Sequence, residues 1–183
     1  TVMVMDDKGN PLKQADLEEL SQNPAIGQIA PLTQTLVTAR HGYAEEAATL
    51  YGTYPAYGVI YHWEMKSGRF LKTPDIDNSS YVAVLSLEAA EKLFGQEDPV
   101  GEPLLLDGRT FTVIGVMEED TSLMSVMTTS IKIYAPYGVL TRLSEMRGGI
   151  SNFVVTPSNP RSMDEAEEAV TAFMGRRHCR YRL

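Results

Sequence analysis

Hydrophobic residues fall in short bursts along this chain, separated by turn-forming clusters, and the period of the bursts changes from place to place. Val2-Met3-Val4-Met5 is a short apolar run that reads as a strand, and Asp6 to Pro11 carries the Asp, Gly, Asn and Pro of a turn. Leu12, Leu17 and Leu20 recur at near-helical spacing, with Asp16, Glu18 and Glu19 on the other side. Asn23-Pro24 ends that helix, because the residue before proline is pushed out of the α region. Ile26 to Ala39 is rich in Thr, Val, Ile and Leu with partial alternation, which predicts a strand. Pro31 within it requires a bulge or an edge position. Tyr43 to Leu50 admits two readings: a helix by the propensity of Ala44 to Ala48, or the return strand of a hairpin that turns at His41-Gly42. Tyr51 to Gly58, aromatic and turn-rich, is either a packed loop or single helical turn, or a contact surface.

A second unit starts near Ser67-Gly68-Arg69-Phe70. Tyr81 to Leu85 predicts a strand, and Ser86 is placed to cap a helix with Glu88 in its first turn. Leu87, Ala90, Leu93 and Phe94 form the buried stripe of that helix, and Gly95 suits its end. After the loop Asp98 to Gly101, the runs Leu104 to Leu106 and Phe111 to Ile114 flank Asp107-Gly108. That dipeptide is a strong hairpin signal, because both central turn positions need positive φ. Gly115 marks a bulge or a close backbone approach as the strand continues to Val116. Glu118 to Ser130 is a polar loop punctuated, with Met117 just before it, by Leu123, Met124, Val126 and Met127. Exposed, those side chains would form an adaptable binding surface; folded back, they would join the core.

The last unit returns to the first pattern. Ile131 to Ala135 predicts a strand, Pro136 starts a helix running towards Met146, and Gly148-Gly149 breaks the chain. Asn152 to Thr156 is another strand, and Pro157 to Pro160 turns it. Ser162 and Glu165 match a capping box ahead of an apolar face of Met163, Ala166, Val170, Phe173 and Met174, with Gly175 as the stop. The strand-helix-strand order thus recurs near each end, with an inserted unit between.

Composition narrows the functional classes. With 183 residues, 43% hydrophobic and 22% charged, the chain matches a packed globular protein. A net charge of -8 disfavours a nucleic-acid partner, whose phosphates reward clustered cations. The one dense basic group is Arg176, Arg177, His178, Arg180 and Arg182, either a solvated tail or a segment near anionic lipid headgroups. No run approaches the roughly 18 apolar residues of a membrane span, and the opening strand-like run does not read as a secretory leader. Cys179 is the single cysteine, so no intrachain disulfide forms.

Catalytic patterns are missing. His41, His62 and His178 show no metal-ligand spacing. His178 and Cys179 are adjacent, and neighbours on an extended chain point to opposite faces, which does not suit a base and its nucleophile. Glu118-Glu119-Asp120 lacks the spaced oxygen ligands and glycine turn of a calcium loop. No serine elbow, phosphate loop or dinucleotide fingerprint occurs. The expectation is therefore no catalytic, metal or cofactor residue, and no enzyme.

The stretch YVAVLSLEAAEKLFGQEDPVGEPLLLDGRTFTVIGV, Tyr81 to Val116, closely resembles the core motif of the extracytoplasmic domains of MacB/FtsX-type ABC-transporter permeases. Ser67-Gly68-Arg69-Phe70 resembles the element that introduces that motif, and Ile133 to Pro136 a strand that follows it. Asn152 to Val155, the helix to Phe173 and Arg177-His178 resemble the closing elements. The resemblance implies an α+β fold of two lobes. A porter-like lobe would be built from strand-helix-strand units of both chain ends, residues 1–67 and 131–183, and a sabre-like mixed lobe, 68–130, would be inserted between them. It favours the hairpin reading of Tyr43 to Leu50. It also implies transmembrane helices flanking the domain, chain ends close together, and a cytoplasmic ATPase acting from a distance. A second permease copy and an extracytoplasmic adaptor or substrate are the further partners implied, at the outer side of a bacterial cell membrane. The function implied is relay of ATP-driven conformational change across that membrane. The alternative is a free-standing ligand- or peptide-binding protein on the same scaffold, with Tyr51, Tyr54 and Tyr57 as its cleft; a third class, an extracellular hydrolase, would need a nucleophile and base brought together in a pocket.

Overall fold

The computed structural model describes residues 2–6, 12–118, 130–143, 150, 152–176 and 181–182, with the backbone alone at 2–6 and 181–182. The chain runs β1 (Val2–Asp6), α1 (Gln14–Ser21), β2 (Ile26–His41), β3 (Ala44–Thr53), α2 (Pro55–Ile60), β4 (Met65–Gly68) and α3 (Thr73–Asp77). It continues through β5 (Val82–Leu85), α4 (Leu87–Phe94), β6 (Pro103–Leu106), β7 (Arg109–Met117) and β8 (Ile131–Pro136). It closes with α5 (Tyr137–Leu143), β9 (Asn152–Pro157), α6 (Met163–Arg176) and β10 (Tyr181–Arg182).

The described strands form one mixed sheet in the order β10-β1-β9-β2-β3-β8-β5-β7-β4, with β6 bonded to both β2 and β7. The α+β class that the family resemblance implies is the class observed. Ala44 to Thr53 is a strand, paired with β2 from His41↔Ala44 to Leu32↔Thr53. Helix propensity in Ala44 to Ala48 loses to this ladder, because Ala48 and Leu50 are fully buried on it. Pro31 sits one residue beyond the last β2–β3 pair, where β3 has no acceptor left for a proline amide to miss, and its carbonyl accepts from Thr53 Oγ1 at 2.7 Å. Leu12 lies outside α1, in an isolated bridge with Ile150.

Strand alternation sends side chains to two covered faces. Ala83 and Leu85 of β5, with Ile131, Ile133 and Ala135 of β8, join α4 and α5 in one core. On the same strands Val84 and Tyr134 point the other way, onto α2 and the segment through Leu71. Burial on both faces explains why β5 and β8 read as near-continuous apolar runs instead of alternating ones. A third core packs α1 and α6 on Phe153 and Val155 of β9. The far half of the β2–β3 hairpin is covered on one face alone: Val37 and Ala39 are buried, and Leu36, Thr38 and Arg40, which alternate with them, are exposed.

Two predicted devices appear as drawn. Ser86 Oγ accepts from the Ala89 amide at 3.2 Å at the start of α4, and Asp107 and Gly108 both hold positive φ, 48° and 79°, between β6 and β7. Gly115 combines both expected roles. The β5–β7 register shifts between Ala83 and Val84, leaving Ile114 as the extra residue, and a Cβ on Gly115 would stand 2.2 Å from the Arg69 carbonyl. The chain outruns one expected stop: α6 continues through Gly175 to Arg176. The turn at 7–11, the loop at 119–129 and the break at 148–149 lie outside the described residues.

Candidate functional site

The tyrosines singled out as a cleft pack instead as part of a core. Tyr57 is buried, and its ring lies 5.0 Å from Trp63 and 4.7 Å from Tyr61. Tyr51 stacks on Tyr134 at 5.2 Å, and Tyr54 meets Tyr137 edge-on at 6.2 Å. Phe70 and Trp63 complete the cluster, with Phe70 against Gly58, where an added Cβ would come within 2.9 Å of its ring. The segment from Tyr51 is the end of β3 followed by the short helix α2, so the packed reading holds and a tyrosine-lined cleft is not formed. Burial raises the phenol pKa of Tyr51 and Tyr137, keeping these rings neutral core members.

The Ser67-Gly68-Arg69-Phe70 element is a junction. Gly68 pairs with Gly115 across β4–β7, at a φ of +66°, and a Cβ there would stand 2.2 Å from the Ile114 carbonyl. Both motif glycines thus let the same two backbones touch. Arg69 then reaches α3, donating to Asp75 through Nη1 at 2.7 Å and Nη2 at 3.1 Å, while Asp75 also accepts from the Lys72 amide at 2.8 Å. Asp75 is buried, and Arg69 holds its carboxyl below the ordinary carboxylate range against the opposing pull of burial.

One concave site lies beside these elements, between α4 and the edge strand β4. It encloses about 290 Å³, near the low end of ligand-binding cavities. Leu87, Ala90, Val116 and Pro99 contribute apolar lining, and Glu91, Glu97, Asp98 and Lys66 charged lining. Asp98 Oδ1 accepts from the Val100 amide, which fixes the Asp-Pro loop. Three carboxylates against one ammonium favour a cationic occupant over an anionic one. Among the described residues no histidine lines the cavity, so none of them sets an imidazole base beside Ser67 there. Sequence reading missed this cavity and missed β4 and α3. The spacing of α4 shows which face it buries, but not that the helix stops short of the last strand.

The other singled-out residues are scattered. His41 caps β2, its Nδ1 3.1 Å from the Pro103 carbonyl and its ring stacked 4.0 Å from Phe94, a packing role. His62 is exposed in the turn after α2. Met117 is buried, Glu118 is exposed and its amide donates to the Glu64 carbonyl. Glu119, Asp120, Leu123, Met124, Val126, Met127, Arg177, His178, Cys179 and Arg180 lie outside the described residues. Among the described residues no group of three or more His, Cys, Asp or Glu is placed to hold a metal, and no helix is long and apolar enough to cross a membrane.

The chain ends meet. β10 pairs antiparallel with β1 through Asp6↔Tyr181 and Met5↔Arg182, so the last strand runs back towards the start of the first. Both ends therefore leave the sheet on the same side. The tip of the β2–β3 hairpin, with Tyr43 fully exposed, is at the opposite extreme, nine residues of β2 beyond the Leu32↔Thr53 pair.

Comparison with known proteins agrees with this architecture. A family model described as the MacB-like periplasmic core domain matches residues 1–173. The macrolide export ATP-binding/permease protein MacB of Aggregatibacter actinomycetemcomitans is 31% identical over 172 residues, 91% of this chain and 26% of that protein. The pyoverdine export ATP-binding/permease protein PvdT of Pseudomonas aeruginosa is 25% identical over 164 residues, 89% of this chain and 25% of that protein. The chain thus spans about a quarter of the length of these relatives. The crystal structure of the periplasmic region of MacB from Actinobacillus actinomycetemcomitans matches with a TM-score of 0.84 at 24% identity, covering 98% of this chain and 86% of that one. The extracellular domain of the noncanonic ABC-type transporter YknZ from Gram-positive bacteria matches with a TM-score of 0.80 at 19% identity, covering 99% and 97%.

Proposed function

This chain belongs to the family of MacB-like periplasmic core domains, and from that premise we propose that it relays ATP-driven conformational change across a bacterial membrane as the extracytoplasmic part of an ABC-transporter permease. The observation that carries the proposal is the β1–β10 pairing. Two chain ends that leave one side of a sheet together suit a domain suspended between two membrane helices. A push or pull on either helix then enters the same ten-stranded sheet. Hydrogen-bonded strands packed on both faces, as β5 and β8 are, pass on displacement with little loss, because close-packed interiors are stiff.

The lobes belong to this proposal. Residues 1–67 and 131–183 form the porter-like lobe, and 68–130 the inserted sabre-like lobe. Supporting this division, β3 and β8 lie side by side in parallel register from Ala48↔Ile131 to Thr53↔Pro136, so the chain between them is an excursion from neighbouring strands. The partners proposed are the transmembrane helices of the same permease, a cytoplasmic ATPase that never touches this domain, a second permease copy, and an extracytoplasmic adaptor or substrate. The domain itself carries no reaction; ATP hydrolysis belongs to the ATP-binding part.

The test is mechanical. Flexible Gly-Ser linkers of about ten residues, soft on the scale of a folded domain, are inserted at both ends of the domain in the full-length protein. Relay predicts that ATP-driven export falls at least about tenfold while ATP hydrolysis continues. Undiminished export would rule the relay out and leave a tethered binding module.

A further inference from the structure

Strand β4 ends the sheet. Among the described residues it pairs with β7 alone, and its other side meets no strand. The Glu118 amide donates to the Glu64 carbonyl, flanking the Met65↔Met117 pair. That makes it the antiparallel kind of pair whose own N–H and C=O groups point away from the partner strand. The amide and carbonyl of Met65 therefore face the open side, where no described residue bonds them. Such groups are a template for another extended chain. The strand also carries two devices that keep an edge from pairing at random. It is four residues long, and the register shift between Met65 and Ser67 leaves Lys66 as an extra, bulged residue with a cation on it. A partner must bring more than a backbone.

The cavity beside β4 shows what that is. Lys66 and Ser67 line it together with Leu87, Ala90 and Glu91 of α4, so it runs along the same edge. Its volume of about 290 Å³ suits one or two side chains better than a whole organic ligand, whose pockets run from about 300 to 1,000 Å³. Of the four charged groups lining it three are carboxylates, and none of the four forms an ion pair among the described residues. Gly95 and Gln96 also line it, at the C-terminal end of α4, where the helix dipole is negative. Two sources of negative potential thus select a cation, and Leu87, Ala90 and Val116 suit the apolar stem that carries it.

We propose that β4 and this cavity form a docking site for an extended basic segment of another polypeptide. The segment adds to the β4 edge as a further strand and lodges a lysine or arginine side chain between α4 and β4. Strand alternation sends every second side chain of the segment to the α4 side, so backbone pairing and cavity filling are compatible. A second copy of this chain does not suit the site, because pairing β4 with β4 brings two sets of the same three carboxylates together. The proposal goes beyond the relay reading and does not depend on it.

The test uses this chain with a short blocked peptide that alternates valine and lysine, and with its counterpart carrying glutamate for lysine. Calorimetry is expected to give the lysine peptide a Kd of about 0.1 mM and the glutamate peptide no measurable binding. At saturation, hydrogen exchange at the Met65 amide slows by about tenfold, because pairing protects it. Glu91→Gln combined with Glu97→Gln weakens binding by about tenfold, whereas Glu88→Gln, on α4 but outside the cavity, leaves it unchanged. No binding of the lysine peptide, equal binding of both peptides, or a Met65 amide unprotected in the complex would overturn the docking site. Equal weakening by Glu88→Gln would overturn it too, by reducing the effect to net charge. Cadaverine bound as tightly as the peptide would replace it with a pocket for a free amine.

Discussion

Arg69 joins two parts of the chain that its own backbone does not. Its guanidinium forks onto Asp75 while its amide donates to Ile114 in β7, so one residue ties α3 to the edge of the sheet. Arg69→Ala leaves a buried carboxylate with the Lys72 amide but no cation beside it, and is expected to cost about 1–3 kcal/mol in urea unfolding. Arg69→Lys recovers little of it, since a point charge does not reproduce a two-pronged contact. The pair also sets a pH dependence. Asp75 titrates lower when folded than its unfolded value of about 3.9, so the unfolded chain binds the proton more readily. Its contribution is complete above that unfolded value and is lost as pH falls towards the lower folded one. Urea midpoints between pH 2 and 6 should fall more steeply in the wild-type chain than in Arg69→Ala. Equal slopes would mean that the pair does not hold the carboxyl down.

Among the elements, strands β4 and β7 depend on contact that side chains would block, whereas α4 depends on a cap. Gly115→Ala places a methyl 2.2 Å from a backbone carbonyl that cannot rotate away, and is expected to cost about 3 kcal/mol by forcing β4 and β7 apart. Ser86→Ala removes a single capping bond and is expected to cost about 1 kcal/mol. Chemical denaturation of the two variants should preserve that order, and a Gly115→Ala chain as stable as wild type would show that the β4 edge gives way easily. The motif Tyr81 to Val116 is legible as strand, helix, hairpin and strand because each piece carries its own cap or turn residue. β4 and α3 carry no such autonomous signal. β4 is four residues long and paired on one side, and α3 is five residues held by Asp75 accepting from the Lys72 amide.

In the whole molecule the inserted segment does not stand apart from the rest. β5 bonds to β8 through Val84↔Tyr134 and Leu85↔Ile133, and β6 reaches β2 at Ala39↔Leu106. Asp107 adds two bonds to Thr38, from its amide and to its carboxylate. Proposed lobes so stitched should unfold together. Trp63, the one tryptophan, lies in the aromatic core against Tyr134, so its fluorescence reports that region while far-UV dichroism reports every element. The two midpoints in urea are expected to coincide. Separate midpoints would show an insert that melts on its own, and a relay with a soft joint.

The sequence by itself determined the periodic elements, the hairpin at Asp107-Gly108, the cap at Ser86 and the tight approach at Gly115. It also carried the family resemblance, because all of these rest on residues within a few positions of one another. For the stretch from Ala44 to Leu50 local propensity pointed both ways, the resemblance favoured the hairpin, and pairing with β2 bears the hairpin out. Tertiary structure alone decided that Tyr51, Tyr54 and Tyr57 fill a core instead of lining a cleft, that Arg69 finds Asp75, and that the chain ends meet through pairing of β1 with β10. Those are contacts between residues distant in sequence or turned to opposite faces, and no local pattern encodes which partner a side chain meets once the sheet has closed over it.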